Sequence, residues 1–141
     1  MASHRREIAV AASAAQVWDA LRDFGAVHRR VAPGFVTDLR LDEDGARIIT
    51  FANGSVAREL LVDADDDRMR LVYAIPGQRF TTYSASVQVF AEDAGRCRVV
   101  WVVDLLPNEL APYVSGQMDI AAPIMRETLR QVPADAGAAD R

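Results

Sequence analysis

Four side chains in this sequence carry polar tips in settings that could put them to chemical use: Tyr83, Tyr73, Arg58 and His28. Tyr83 and Arg58 together would suit proton transfer at an enolisable carbon, the phenol as acid and the guanidinium as a clamp on the developing enolate. His28 titrates near neutrality and could act as acid or base, but no acidic residue stands at helical spacing to orient it, and surface packing is the competing reading. The planar fork of Arg58 also matches a ligand carboxylate, phenolate or polarised carbonyl. With Glu59 beside it, a plain surface ion pair is the alternative. Tyr73, Tyr83 and Trp101 join large apolar faces to polar tips, useful for orienting an amphipathic molecule. Met118 and Met125 add adaptable apolar surface, which serves a pocket floor or an ordinary core equally well.

Other chemistries find no support. The chain has no lysine, which excludes Schiff-base and lysine-base mechanisms. His4, His28 and the single Cys97 have no metal-ligand spacing, and phosphate loops and Ser-His-Asp arrangements are absent, so neither metal nor cofactor is expected. A net charge of −4 argues against a nucleic-acid partner. Cys97, alone in an apolar strand, reads as core and fits a reducing compartment. The opening MASHRREIAV has no apolar stretch of signal-peptide length, and apolar runs such as 99–103 are far too short to span a bilayer. A cytoplasmic protein without membrane insertion is the expectation.

The elements that must position these residues follow from hydrophobic period and turn chemistry. Residues 4–12 read as a strand, and Ser13 with Gln16 forms a capping box before the helical stripe Val17, Leu21 and Phe24, with Gly25 as a stop. A second short helix fits 26–31. Strands then fit 35–41, 47–51, 56–62, 69–75, 81–91 and 97–105, with Asn53-Gly54 the strongest hairpin signal and 63–67 an acidic turn. The spacing of Leu110, Val114, Met118, Ala121, Met125 and Leu129 predicts a helix over 108–132, which Pro123 should kink or interrupt. The tail, 133–141, has the composition of a disordered segment. The expected fold class is thus α+β: one domain over 1–132, a curved antiparallel sheet of about seven strands gripping a long C-terminal helix, with two short helices after the first strand.

Alternation selects inward faces. Trp101 shares a face with Cys97, Val99, Val103 and Leu105; Tyr83 with Ala85, Val87 and Val89; Tyr73 with Met69, Leu71 and Ile75. Over 56–62 both faces are otherwise apolar, so alternation does not choose between Arg58 and Glu59.

The segments AAQVWDALRDF at 14–24, NGS at 53–55, REL at 58–60, GQRFTTYSAS at 77–86 and WVVDLLP at 101–107 carry a resemblance that runs from 7 to 132. The chain resembles the START-like (SRPBCC) superfamily, whose fold is called helix-grip or Bet v 1-like. Within it the chain is similar to bacterial polyketide cyclase/dehydrase-like proteins and to the abscisic-acid receptor branch. The resemblance implies a gate loop at Asn53, Gly54 and Ser55 and a latch at Gln78, Arg79 and Phe80, both closing over ligand. It also implies that Arg58, with Val56 and Leu60, looks inward. The receptors hold their ligand acid with a lysine that this chain lacks, Asn53-Gly54-Ser55 replaces their proline-containing gate, and Gln78 replaces the latch histidine, so abscisic acid is not implied. The function expected is binding of a small hydrophobic or amphipathic molecule, a lipid, polyketide or aromatic acid, in an internal cavity, and a homodimer is compatible with it. Two alternatives stand beside it: a polyketide cyclase, aromatase or dehydratase, and a protein-interaction module with a collapsed cavity.

Overall fold

The chain turns from strand to helix at Ser13. Its Oγ accepts from the Gln16 amide at 3.2 Å, and Gln16 Oε1 accepts from the Ser13 amide at 2.9 Å. This reciprocal cap satisfies two backbone donors that a helix start leaves unpaired, and α1 (Ala14–Leu21) follows, burying Val17, Trp18 and Leu21. Ser13→Ala should lower stability by about 1 kcal/mol, read as a lower urea midpoint at unchanged slope; an unmoved midpoint would mean the cap adds nothing.

The computed structural model describes residues 1–131; the tail at 133–141 lies outside the described residues, as does Val132. Seven strands, β1 (Ala2–Val10), β2 (Val36–Leu41), β3 (Arg47–Phe51), β4 (Val56–Asp65), β5 (Arg70–Ala74), β6 (Thr82–Asp93) and β7 (Arg96–Leu106), form one sheet in the order β1-β7-β6-β5-β4-β3-β2. Every neighbouring pair is antiparallel. Between β1 and β2 lie α1, a short 3₁₀ turn (Phe24–Ala26) and α2 (Val27–Arg30). A second 3₁₀ turn (Asn108–Leu110) leads into α3 (Ala111–Arg130). This is the helix-grip architecture.

One face of the sheet makes the core. Along β7, Cys97, Val99, Trp101, Val103 and Leu105 are all buried, as the period of two requires. The helix α3 lays Val114, Met118, Ala121, Met125 and Leu129 against that face, a stripe at helical spacing. Polar ties fix its other flank to β1: Arg6 Nε donates to Asp119 at 2.9 Å and Arg6 Nη2 donates to Ser115 Oγ at 2.8 Å.

Some boundaries differ from the sequence expectation. Pro123 does not interrupt α3, which runs unbroken from Ala111 to Arg130. Proline removes one backbone donor, but burial of Ala121 and Met125 on either side supplies the packing that keeps the segment helical. The first turn of the predicted helix is 3₁₀ rather than α. Met69 is a turn residue, not the start of a strand, because its φ of 51° lies in the left-handed region. Among the described residues, no helix is long and apolar enough to cross a membrane.

Candidate functional site

The Asn53-Gly54 turn sets what faces inward. Gly54 takes a φ of 88°, which glycine adopts without steric cost. The hairpin that it closes places Thr50 opposite Val56, Ile48 opposite Arg58 and Arg47 opposite Glu59. Arg47, Ile49, Ala57 and Glu59 therefore share the inner face, and Arg47 and Glu59 are only 5% and 4% exposed.

The Arg58 expectation is corrected here. Arg58 points outward and pairs with Asp44 and, at 3.6 Å, with Asp42, both in the β2–β3 turn. The cost of burying a charge decides between the two faces of β4. Inward, Glu59 meets Arg47 directly across the strand pair, whereas outward Arg58 finds two carboxylates in solvent.

Between the inner sheet face and α3 lies a cavity of about 200 Å³. Leu21, Val31, Phe35, Leu71, Ile75 and Val87 make much of its wall, with Met118 and Met125 contributed by α3. Tyr73, Tyr83 and Trp101 also line it, as their alternation predicts.

Its polar lining comprises Arg47, Glu59, Tyr73 and Tyr83 on the sheet, Gln117 on α3, and the loop groups described below. Arg47 Nε donates to Glu59 Oε1 at 2.7 Å, and Nη2 lies 2.7 Å from the same oxygen. Nη1 donates to the Phe24 carbonyl at 3.2 Å. The rings of Phe24 and Tyr73 stand 4.0 and 4.9 Å from the guanidinium carbon, so the cation is packed against aromatic surface. Trp101 Nε1 donates to the Tyr73 hydroxyl at 3.2 Å, which fixes both side chains. Burial pushes the Tyr73 phenol well above its ordinary range, and the negative charge of Glu59 pushes the same way. Tyr83 is raised by burial first, then by Tyr73 and Glu59. Both phenols stay protonated at neutral pH and can donate hydrogen bonds.

Two loops meet at Tyr113, in the first turn of α3. Asn53 Nδ2 donates to the Tyr113 hydroxyl at 3.0 Å, and Ser55 Oγ lies 3.4 Å from it. From the other loop, the Arg79 guanidinium stacks over the Tyr113 ring at 4.7 Å, while Phe80 packs on Tyr83 with ring centres 4.8 Å apart. The hydrogen bond with Ser55, helped by Asn53 and Arg79, holds the Tyr113 hydroxyl below the usual phenol range. Ser55, Gln78, Arg79, Phe80 and Tyr113 all line the cavity.

Of the remaining sequence candidates, His28 is not among the lining residues; it sits half-buried on α2 with Nδ1 unpaired among the described residues. Asn53 reaches the site through Tyr113 and through Ser55, whose Oγ donates to Asn53 Oδ1 at 2.7 Å, and Gly54 acts by shaping the turn. Sequence reasoning passed over Arg47, Phe24 and Tyr113. Arg47 was only partly detectable. Asn53-Gly54 announces a hairpin, and opposite charges across a strand pair attract. Arg47 faces Glu59, however, because the loop is the three residues Ala52-Asn53-Gly54, where a two-residue Asn53-Gly54 turn would oppose it to Leu60. Tyr113 and Phe24 carried no comparable signal. No group of three or more His, Cys, Asp or Glu that could hold a metal ion occurs among the described residues.

Comparison with known proteins agrees with this architecture. A family model described as polyketide cyclase / dehydrase and lipid transport matches residues 1–136. Among solved structures, a protein from Thermobifida fusca known by solution NMR is similar at 28% identity and a TM-score of 0.76, covering 94% of this chain and 95% of that one. A START superfamily protein from Mycobacterium smegmatis aligns at 13% identity with a TM-score of 0.72, covering 93% and 99%. Norcoclaurine synthase from Thalictrum flavum, in complex with dopamine and hydroxybenzaldehyde, aligns at 18% identity with a TM-score of 0.69, covering 92% and 84%. No curated protein matches the chain. The narrower likeness to the abscisic-acid receptor branch has no support in these matches.

Proposed function

From the premise that this chain belongs to the polyketide cyclase/dehydrase and lipid transport family, within the START-like superfamily, we propose that it holds one small, mainly apolar organic molecule in the cavity between its sheet and α3. The observation that carries the reading is the cavity itself. At about 24 cal/mol per Å³, an unused void of this size would forgo roughly 5 kcal/mol, against total stabilities of roughly 5–15 kcal/mol. Apolar cavities of about 150 Å³ accept benzene, so about 200 Å³ suits a single ring with a short substituent rather than a long-chain lipid. The loops that meet at Tyr113 cover the mouth, and ligand entry breaks their contacts with it. The norcoclaurine synthase complex with dopamine and hydroxybenzaldehyde supports an aromatic ligand class by analogy.

The two alternatives fare less well. A cyclase built on Tyr83, Arg58 and His28 loses two of its three groups, because Arg58 and His28 do not line the cavity. The interaction module requires a filled core, whereas Trp101, Met118 and Met125 surround open volume.

Two indoles provide the test. Trp101 lines the cavity, while Trp18 does not and donates instead to Asp66 at 2.9 Å near the surface. On titration of 4-ethyltoluene into ¹⁵N-labelled protein, the Trp101 indole signal, assigned with Trp101→Phe, should shift saturably while that of Trp18 stays in place. Two signals left unmoved by both 4-ethyltoluene and 4-ethylphenol, or two that move together, would refute the container reading.

A further inference from the structure

We infer that the cavity selects an uncharged ligand whose polar end is a hydroxyl, a phenol or alcohol of about one ring in size, and rejects the carboxylate of the same shape. This rests on the container reading above and adds the chemistry of the ligand's polar end.

The first observation is charge. Arg47 and Glu59 bring one cation and one anion to the inner wall, and they are paired. All three guanidinium nitrogens of Arg47 are engaged, by Glu59 and by the Phe24 carbonyl. Phe24 and Tyr73 lie against the cation. A carboxylate entering here would find no unengaged cation and would stand beside Glu59 in a low-dielectric site, where two like charges cannot both persist cheaply. An ammonium could reach Glu59 Oε2, but Arg47 already neutralises that carboxylate, so the site holds no net negative charge to offset the cost of desolvating the cation. Arg79 offers no remedy, since it lies out at the mouth over Tyr113.

The second observation is hydrogen-bonding capacity. Glu59 Oε1 receives Arg47, whereas Oε2 has no protein donor among the described residues. Tyr73 accepts from Trp101 and keeps its own proton to give. The Tyr83 hydroxyl has no protein partner among the described residues, although its ring is held by Phe80. Beside the engaged Arg47 and the Gln117 amide, the lining thus offers one strong acceptor, Glu59 Oε2, and two phenol donors that no protein group uses. A hydroxyl is the smallest group that both donates and accepts. A ketone answers the tyrosines and leaves Glu59 unmet, and a hydrocarbon answers none of the three. Hydrogen bonds to a charged acceptor are the stronger kind, and a site built for a hydroxyl discriminates against analogues that lack it.

Four probes of similar shape test this at pH 7.5: 4-ethylphenol, 4-ethyltoluene, 4-ethylbenzoate and 4-ethylbenzylammonium, each followed by the Trp101 indole shift. The phenol should bind at least about tenfold tighter than the hydrocarbon, and both ions at least about a hundredfold more weakly than the phenol. Tyr83→Phe removes a hydroxyl that no protein group uses, so the fold should persist; phenol affinity should drop about tenfold while hydrocarbon affinity holds. Benzoate or ammonium binding as tightly as phenol would overturn the inference, as would a phenol that binds no better than the hydrocarbon, and in those cases the container reading survives. If the hydrocarbon and the phenol both fail to bind, both readings fall.

Discussion

Glu59→Ala is expected to destabilise the protein by about 3–5 kcal/mol, because it leaves the Arg47 cation buried without its counter-charge. At the usual scaling for a domain of this size, the melting temperature should fall by on the order of 10–20 °C. The loss reflects an uncompensated charge rather than the net worth of the pair. Replacing both partners, with Arg47→Met and Glu59→Leu together, should therefore recover most of the stability. Thermal melts of the single and double variants distinguish these effects. A single variant within about 1 kcal/mol of the parent would mean that water or a neighbouring group solvates Arg47, contrary to the packing described.

The second large effect concerns the grip of α3. Leu129 is fully buried in the last turn of that helix, and Leu129→Ala should cost about 2–5 kcal/mol. Leu61, at 46% exposed on β4, provides the control: Leu61→Ala removes the same atoms and should stay within about 0.5 kcal/mol of the parent. Urea titrations of the two variants measure the contrast. Equal midpoints would show that the end of the helix frays from the sheet rather than clamping it.

Much of this architecture is legible in the sequence because each element carries its own local signal. The capping box at Ser13 and Gln16 starts a helix, the Asn53-Gly54 turn closes a hairpin, and strict alternation on β7 aims Trp101 inward. Those signals are short-range and physically determined. The site is less legible because it depends on which of two plausible faces wins. Alternation on β4 permits either Arg58 or Glu59 to face inward, and only the partner across the hairpin, Arg47, breaks the tie. The resemblance pointed to Arg58, and the register overrules it. His28 shows the same limit: a short helix of four residues has too little periodicity to say which way a side chain looks. At the mouth, Tyr113 takes its importance from two loops, one about sixty residues away in sequence and the other about thirty-four, a relation no local pattern encodes.

The strand order has a consequence for how the molecule is made. Ala2 faces Leu105 across the sheet, so β1 emerges from the ribosome and then waits for a partner about a hundred residues later, roughly 5–20 seconds at ordinary rates of synthesis. During that interval its hydrogen-bonding edge has no strand to pair with. Its sequence suits the delay. Arg5, Arg6 and Glu7 place three charges in the middle of the strand, and charged residues in that position discourage pairing with other nascent chains. The sheet can be completed only once β7 has left the exit tunnel, and α3, which ties β1 through Arg6, follows later still. Folding of this domain is thus deferred to the end of its translation, with the earliest strand kept soluble by the same arginine that later anchors the last helix.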